Sequence, residues 1–199
     1  MTEPVRNVTL MLKNKRIGFC DLAEPRSVNG GAPSFQSRLI IEPNDPDVAA
    51  IDKAMEDVSK GKWKEAWEGA LAMLVKKNRV AFSKEDYCNK DGKPYDSFKG
   101  KYSLGCSAPA DKQPTFFDEY GQPITDMATV KRKFYPGCFV NQKVEIYPLI
   151  RDDGNRINCQ VLGVMFAGDG EAFGAGSRPA DATDFAGMAK AKADAEDIL

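Results

Sequence analysis

Cys138-Phe139-Val140-Asn141-Gln142-Lys143-Val144-Glu145-Ile146-Tyr147-Pro148 is the stretch that decides the fold. Cys138, Val140, Val144 and Ile146 repeat with a period of two. Successive side chains of a strand point to opposite faces, so this is a strand with one face in a core. Asp152-Asp153-Gly154-Asn155 follows, and its Asp-Gly makes a hairpin turn that accepts positive φ. Ile157, Cys159 and Val161 then return on the partner strand.

Further strands lie upstream. Val8, Leu10 and Leu12 alternate with Thr9 and Met11, and after the loop Asn29-Gly30-Gly31-Ala32-Pro33 so do Phe35, Ser37, Leu39 and Ile41 with their neighbours. Asp45 is an N-cap and Pro46 fits the first helical position. Val48, Ile51, Met55 and Val58 share one helical face, and Lys60-Gly61-Lys62 ends that helix. Trp63, Trp67, Leu71 and Leu74 repeat at helical spacing to about Lys76, which makes both tryptophans core residues. From Arg79 through Asp96 the chain is polar and irregular. Short strands follow at Lys101 to Ser107 and at Thr115 to Phe117. Two strands, two helices and then several strands give an α+β protein, mainly β: a barrel or curled sheet with a helical insertion at about 46–76. The domain covers 1–167, and 168–199 is expected to be a flexible Gly/Ala-rich segment with an acidic tail.

The chain has 28 Lys and Arg against 29 Asp and Glu, a net charge of −1. Residues 181–199 carry five acids and two bases, a balance of −3, which leaves the body at +2. Five cysteines, the closest two 18 positions apart, with no CxxC pair and no histidine, argue against a zinc site. Met1 to Leu12 lacks a signal-peptide core, and no apolar run is long enough to span a membrane, so a reducing, cytoplasmic location is expected.

Catalytic constellations are scarce. Without histidine the Ser–His and Cys–His nucleophile pairs are excluded, and there is no GxxxxGK[ST]. Gly168-Asp169-Gly170-Glu171-Ala172-Phe173-Gly174 nears GxGxxG, but Phe173 takes the third glycine's place, so the segment is expected to be a flexible loop. Pro46-Asp47 with Asp91-Gly92-Lys93 is the only fragment resembling a metal-dependent nuclease, and one half is a helix start and the other a turn. No enzyme, cofactor or metal is expected.

Basic and aromatic residues interleave more informatively. The outward face of the 138–148 strand presents Phe139, Lys143 and Tyr147, where bases could stack on rings while an ammonium meets a phosphate. Lys131, Arg132 and Lys133 precede Phe134 and Tyr135. Lys99, Lys101 and Tyr102 follow Tyr95 and Phe98, and Lys76, Lys77 and Arg79 close the second helix. Phe134, Phe139 and Tyr147 could instead face a second core layer, and Lys76, Lys77 and Arg79 could simply complement a helix C-terminus. A protein-interaction or structural module using the aromatic face is the alternative, with the nuclease behind it.

The chain also resembles a family of single-stranded-DNA-binding proteins of tailed phages. The likeness is carried by Gly30-Gly31-Ala32-Pro33-Ser34-Phe35 leading to Leu39-Ile40-Ile41-Glu42-Pro43, and by the helix from Asp47. It continues in Phe134-Tyr135-Pro136-Gly137-Cys138-Phe139-Val140, Val144-Glu145-Ile146-Tyr147-Pro148, the Gly154 turn and Asp169-Gly170-Glu171. The resemblance implies an OB-type barrel, binding of single-stranded DNA without sequence preference, and a role in phage replication or recombination in the host cytoplasm. Asp194, Glu196 and Asp197 before Ile198 and Leu199 look like the acidic tails with which replication proteins recruit partners. Lys190 and Lys192 dilute its charge, and it has no terminal Phe.

Overall fold

The computed structural model describes residues 7–27 and 30–174. Seven strands form one sheet that closes on itself. They are β1 (Val8–Arg26), β2 (Ser34–Ile41), β3 (Phe82–Ser83), β4 (Tyr102–Pro109), β5 (Thr115–Phe117), β6 (Phe139–Leu149) and β7 (Arg156–Gly168). β1 pairs antiparallel with both β2 and β6, β2 with β4, and β6 with β7. A parallel contact, Ser107 with Gln160, joins β4 to β7 and closes a five-stranded barrel in the order β1-β2-β4-β7-β6. β3 and β5 are short additions to β4 and β7. This is the OB-type architecture.

The hairpin read from the sequence forms the β6–β7 pair, with Val144 opposite Val161 and Ile146 opposite Cys159. Gly154 takes φ +116° in its turn. The inward residues Val140, Val144, Ile146, Ile157 and Val161 meet Leu12, Ile17, Leu39, Ile41 and Leu104, all of them at most 1% exposed. Gln142 is wholly buried among them and accepts from the Ser37 hydroxyl at 3.1 Å.

β1 is far longer than Val8–Leu12, running 19 residues. Register shifts between Leu12 and Lys15 and between Ile17 and Phe19 bend it, so that its first half serves β6 and its second half β2. The helical insertion is α1 (Asp47–Trp63), a single 3-10 turn, and α2 (Trp67–Lys76), between β2 and β3. The N-cap position falls on Pro46, one residue later than expected, and Asp45 just before it accepts the Asp47 amide at 2.9 Å. Lys15, only 4% exposed, reaches Asp45 at 2.8 Å and Asp47 at 2.7 Å and so fastens the helix start to β1. Trp63 packs partly buried against the core. Trp67 does not join the core: it is half-buried, with the Lys60 ammonium 4.4 Å from its ring centre. A third helix, α3 (Met127–Lys133), sits between β5 and β6, capped by Asp126, which accepts the Ala128 and Thr129 amides. Among the described residues no helix is long and apolar enough to cross a membrane.

Candidate nucleic-acid interface

The outer surface of β1, β2 and β4 carries a groove of about 490 Å³. β1 contributes Phe19 and Asp21, β2 Gln36 and Arg38, and β4 Gly105 and Ser107. The chain after α2 adds Arg79, and β7 adds Arg156 and Asn158. The segment between β3 and β4 folds back over this surface. Its anchor is Phe98, wholly buried although it lies outside the barrel. A Cβ at Gly18 would approach the Phe98 ring to 2.2 Å, so this position of β1 must be glycine for the segment to dock.

Docking brings four rings together. Phe19 lies parallel to Phe98 (centroids 5.8 Å, 12°) and edge-on to Tyr95 (5.0 Å, 75°). Tyr87 and Tyr95 are parallel at 5.7 Å. Phe19 and Tyr95 keep 37% and 38% of their surface exposed, so the cluster is open to solvent. Arg38 lies over Tyr87, 3.9 Å from the ring centre, and its Nη1 donates to Ser103 Oγ at 3.2 Å. At the far end Arg79 Nη1 donates to the Asp153 carbonyl at 2.7 Å, and Arg156 Nη2 pairs with the Asp153 carboxylate at 2.6 Å. Three guanidiniums and a group of rings therefore share one open groove. That arrangement suits a flexible anionic chain whose rigid rings can stack.

The sequence-derived candidates are distributed differently. Arg79 lines the groove, and Lys76 and Lys77 lie exposed at the end of the helix before it. Phe139, Lys143 and Tyr147 do face outward from β6, but on the β1–β6 side. There Phe139 is half-buried, with the Arg16 guanidinium 5.7 Å from its ring centre, while Lys143 is exposed. Tyr135 is in the core rather than on a face. Its hydroxyl donates to Asp169 at 2.8 Å and accepts the Gly170 amide at 3.1 Å, and burial raises its pKa. Phe134 is core as well, 3% exposed. Lys131 lies 3.7 Å from Glu24, Lys133 pairs with Glu119, and Arg132 is exposed on α3. Lys99 pairs with Asp96, Lys101 with Glu42, and Tyr102 packs edge-on against Phe82.

Sequence reading missed Phe19, Arg38, Tyr87 and Arg156. The clue available was a glycine inside each of two strands, Gly18 and Gly105. Asp169 to Phe173, expected as a loop, folds back on β1: Arg16 Nη2 donates to the Glu171 carbonyl at 2.7 Å, and its guanidinium lies 4.2 Å from the Phe173 ring centre. Of the nuclease-like fragment, Asp47 is ion-paired to Lys15 and Asp91 sits in a turn organised by Asn89. The tail residues Asp194, Glu196, Asp197, Ile198 and Leu199 lie outside the described residues.

The sequence pattern of the family described as "Enterobacter phage Enc34, ssDNA-binding protein" matches residues 8–199. The chain belongs to that family. Among solved structures it is similar to the single-stranded DNA-binding protein from bacteriophage Enc34 in complex with ssDNA. The TM-score is 0.70 at 18% identity, covering 87% of this chain and 97% of that one. The same Enc34 protein in a second structure gives 0.66 at 19% identity, with 92% and 96% covered. Gp2.5, a single-stranded DNA binding protein encoded by bacteriophage T7, gives 0.54 at 15% identity, with 93% and 96% covered. At such identities the solved structures establish the shared barrel. No curated protein matches the sequence significantly.

Proposed function

We propose that this member of the Enc34 family binds single-stranded DNA without sequence preference, in the groove across β1, β2 and β4, and serves phage DNA replication or recombination in the host cytoplasm. The observation that carries the reading is the meeting of Phe19, Tyr87 and Tyr95 with Arg38 on one open surface. Bases stack on the exposed rings, each contributing about 1–3 kcal/mol, while guanidiniums meet phosphates. Every base has a π-face, so such contacts tolerate any sequence. A duplex hides those faces, so it gains only the charge contacts. The protein acts by holding strands unpaired and performs no catalysis.

A labelled oligonucleotide and its duplex, titrated over several salt concentrations, test this. Tighter binding of the single strand, with log affinity falling against log salt, is expected. Equal affinity for both forms would refute it. A strand shortened only when Mg²⁺ is present would restore the nuclease.

A further inference from the structure

Arg38 is held differently from the other two arginines of the groove, which both bond Asp153. Among the described residues it pairs with no carboxylate, although Asp21, which bonds Arg26 instead, lines the same groove. One guanidinium nitrogen donates to the buried Ser103 hydroxyl, and the plane rests on the Tyr87 ring. Nη2 and Nε have no hydrogen-bond partner among the described residues. A half-buried guanidinium held this way is oriented before any ligand arrives, and its free fork matches the geometry of a phosphodiester.

What permits this placement is on the neighbouring strand. Gly105 of β4 pairs directly with Arg38 of β2. A Cβ built at Gly105 would lie 2.8 Å from Arg38 Nη2, 3.2 Å from Cζ and 3.3 Å from Nη1, and these are its three nearest heavy atoms. The guanidinium therefore lies flat on the backbone at this position. Gly105 is not among the glycines with positive φ, so its conformation does not require glycine. Its amide donates to the Ala81 carbonyl at 2.9 Å, a bond that any non-proline residue could make. The tightest constraint on a side chain here is therefore the arginine itself.

We infer that Gly105 is a positioning residue for DNA binding: the missing side chain seats Arg38 over Tyr87, where its free fork takes a backbone phosphate. The inference rests on the groove being the binding surface. A methyl at 105 must displace the guanidinium from its seat, and an arginine head moves cheaply. The fold is therefore spared while the phosphate contact is lost. Alanine at a compatible strand position also restricts the unfolded chain more than glycine does, so the variant should be at least as stable as the parent.

The experiment uses the full chain with a labelled oligothymidylate of about 16 nucleotides. Arg38→Ala, Gly105→Ala and the double variant are each titrated at several salt concentrations, and each melting temperature is measured. Arg38→Ala should weaken binding by more than about tenfold, as for a lost charge-assisted bond, and flatten the salt slope by about 0.7. Gly105→Ala should show the same two changes with an equal or higher melting temperature. The double variant should bind no more weakly than Arg38→Ala. Parent-like binding by Gly105→Ala beside a weakened Arg38→Ala would overturn the inference and leave the groove standing. A marked fall in the melting temperature of Gly105→Ala would also overturn it, because glycine would then serve the sheet itself. Parent-like binding by Arg38→Ala would remove the groove reading along with the inference.

Discussion

Phe19→Ala discriminates between two faces of the barrel. Phe19 keeps 37% of its surface exposed, and its ring touches those of Tyr87, Tyr95 and Phe98. A base stack on one ring is worth about 1–3 kcal/mol. Tyr87 and Tyr95 remain after the substitution and can take over part of the contact, which favours the lower half of that range. Affinity should fall by about 1–2 kcal/mol, roughly 5- to 30-fold. The salt slope should not change, because the ring carries no charge. Truncation of a fully buried Phe costs about 3–5 kcal/mol; with about two thirds of this ring covered, the stability loss should be about 2–3 kcal/mol. Fluorescence polarisation with a labelled single strand gives affinity and slope, and urea unfolding gives stability. Tyr147→Ala on the β1–β6 face is the companion variant and should bind like the parent. A parent-like Phe19→Ala together with a weakened Tyr147→Ala would refute the groove and return the site to β6.

Other outcomes follow from particular contacts. Asp153→Asn frees Arg156 from its carboxylate while the Asp153 carbonyl can still accept Arg79. Binding at low salt should tighten and the slope steepen by up to about 0.7, whereas Asp152→Asn, on the same exposed turn, should change little; titrations of both check this. Lys15→Met leaves Asp45 and Asp47 facing each other without their cation and should cost about 3 kcal/mol in urea unfolding. Burial pushes the Cys138 thiol up to about 11 and raises Cys20 and Cys159 as well. At pH 8 a disulfide reagent should therefore modify buried Cys138 and Cys159 only on unfolding, as counted by released thiolate absorbance, whereas half-exposed Cys88 is within its reach in the native protein.

The legible parts of this fold were those written locally. The β6–β7 hairpin shows period two and a turn that needs Gly154, and α1 shows one apolar face with Asp45 before it. β1 was read as about a quarter of its length because the shifts after Leu12 and at Gly18 break the alternation a strand is recognised by. The segment between β3 and β4 reads as irregular because it has no repeat. Its value lies in where Phe98 docks, which is a property of Gly18, some eighty positions earlier. The outward direction of Phe139 and Tyr147 was right, yet alternation separates inside from outside and cannot say which outer face forms a groove. Lys133, Tyr135 and Lys101 carried suitable chemistry in the sequence, but Glu119, Asp169 and Glu42 arrive from distant elements to engage them.

Such pairing also sets how strongly salt should act. A net charge of −1 conceals which cations are available. Lys53, Lys60, Lys84, Lys99, Lys101 and Lys133 each face a carboxylate, so a phosphate that recruits one must first displace a partner of equal charge. Arg38 and Arg79, among the described residues of the groove, face none, and Arg156 faces only Asp153 on an exposed turn. Two or three phosphate contacts at about −0.7 each predict a slope of log affinity against log salt between about −1.4 and −2.1 on single strands. Asp153→Asn should move the measured value toward the steeper end, and Arg38→Ala toward the shallower. A parent slope steeper than about −4 would mean that the paired lysines let go of their carboxylates on binding. The phosphates would then run well beyond the groove.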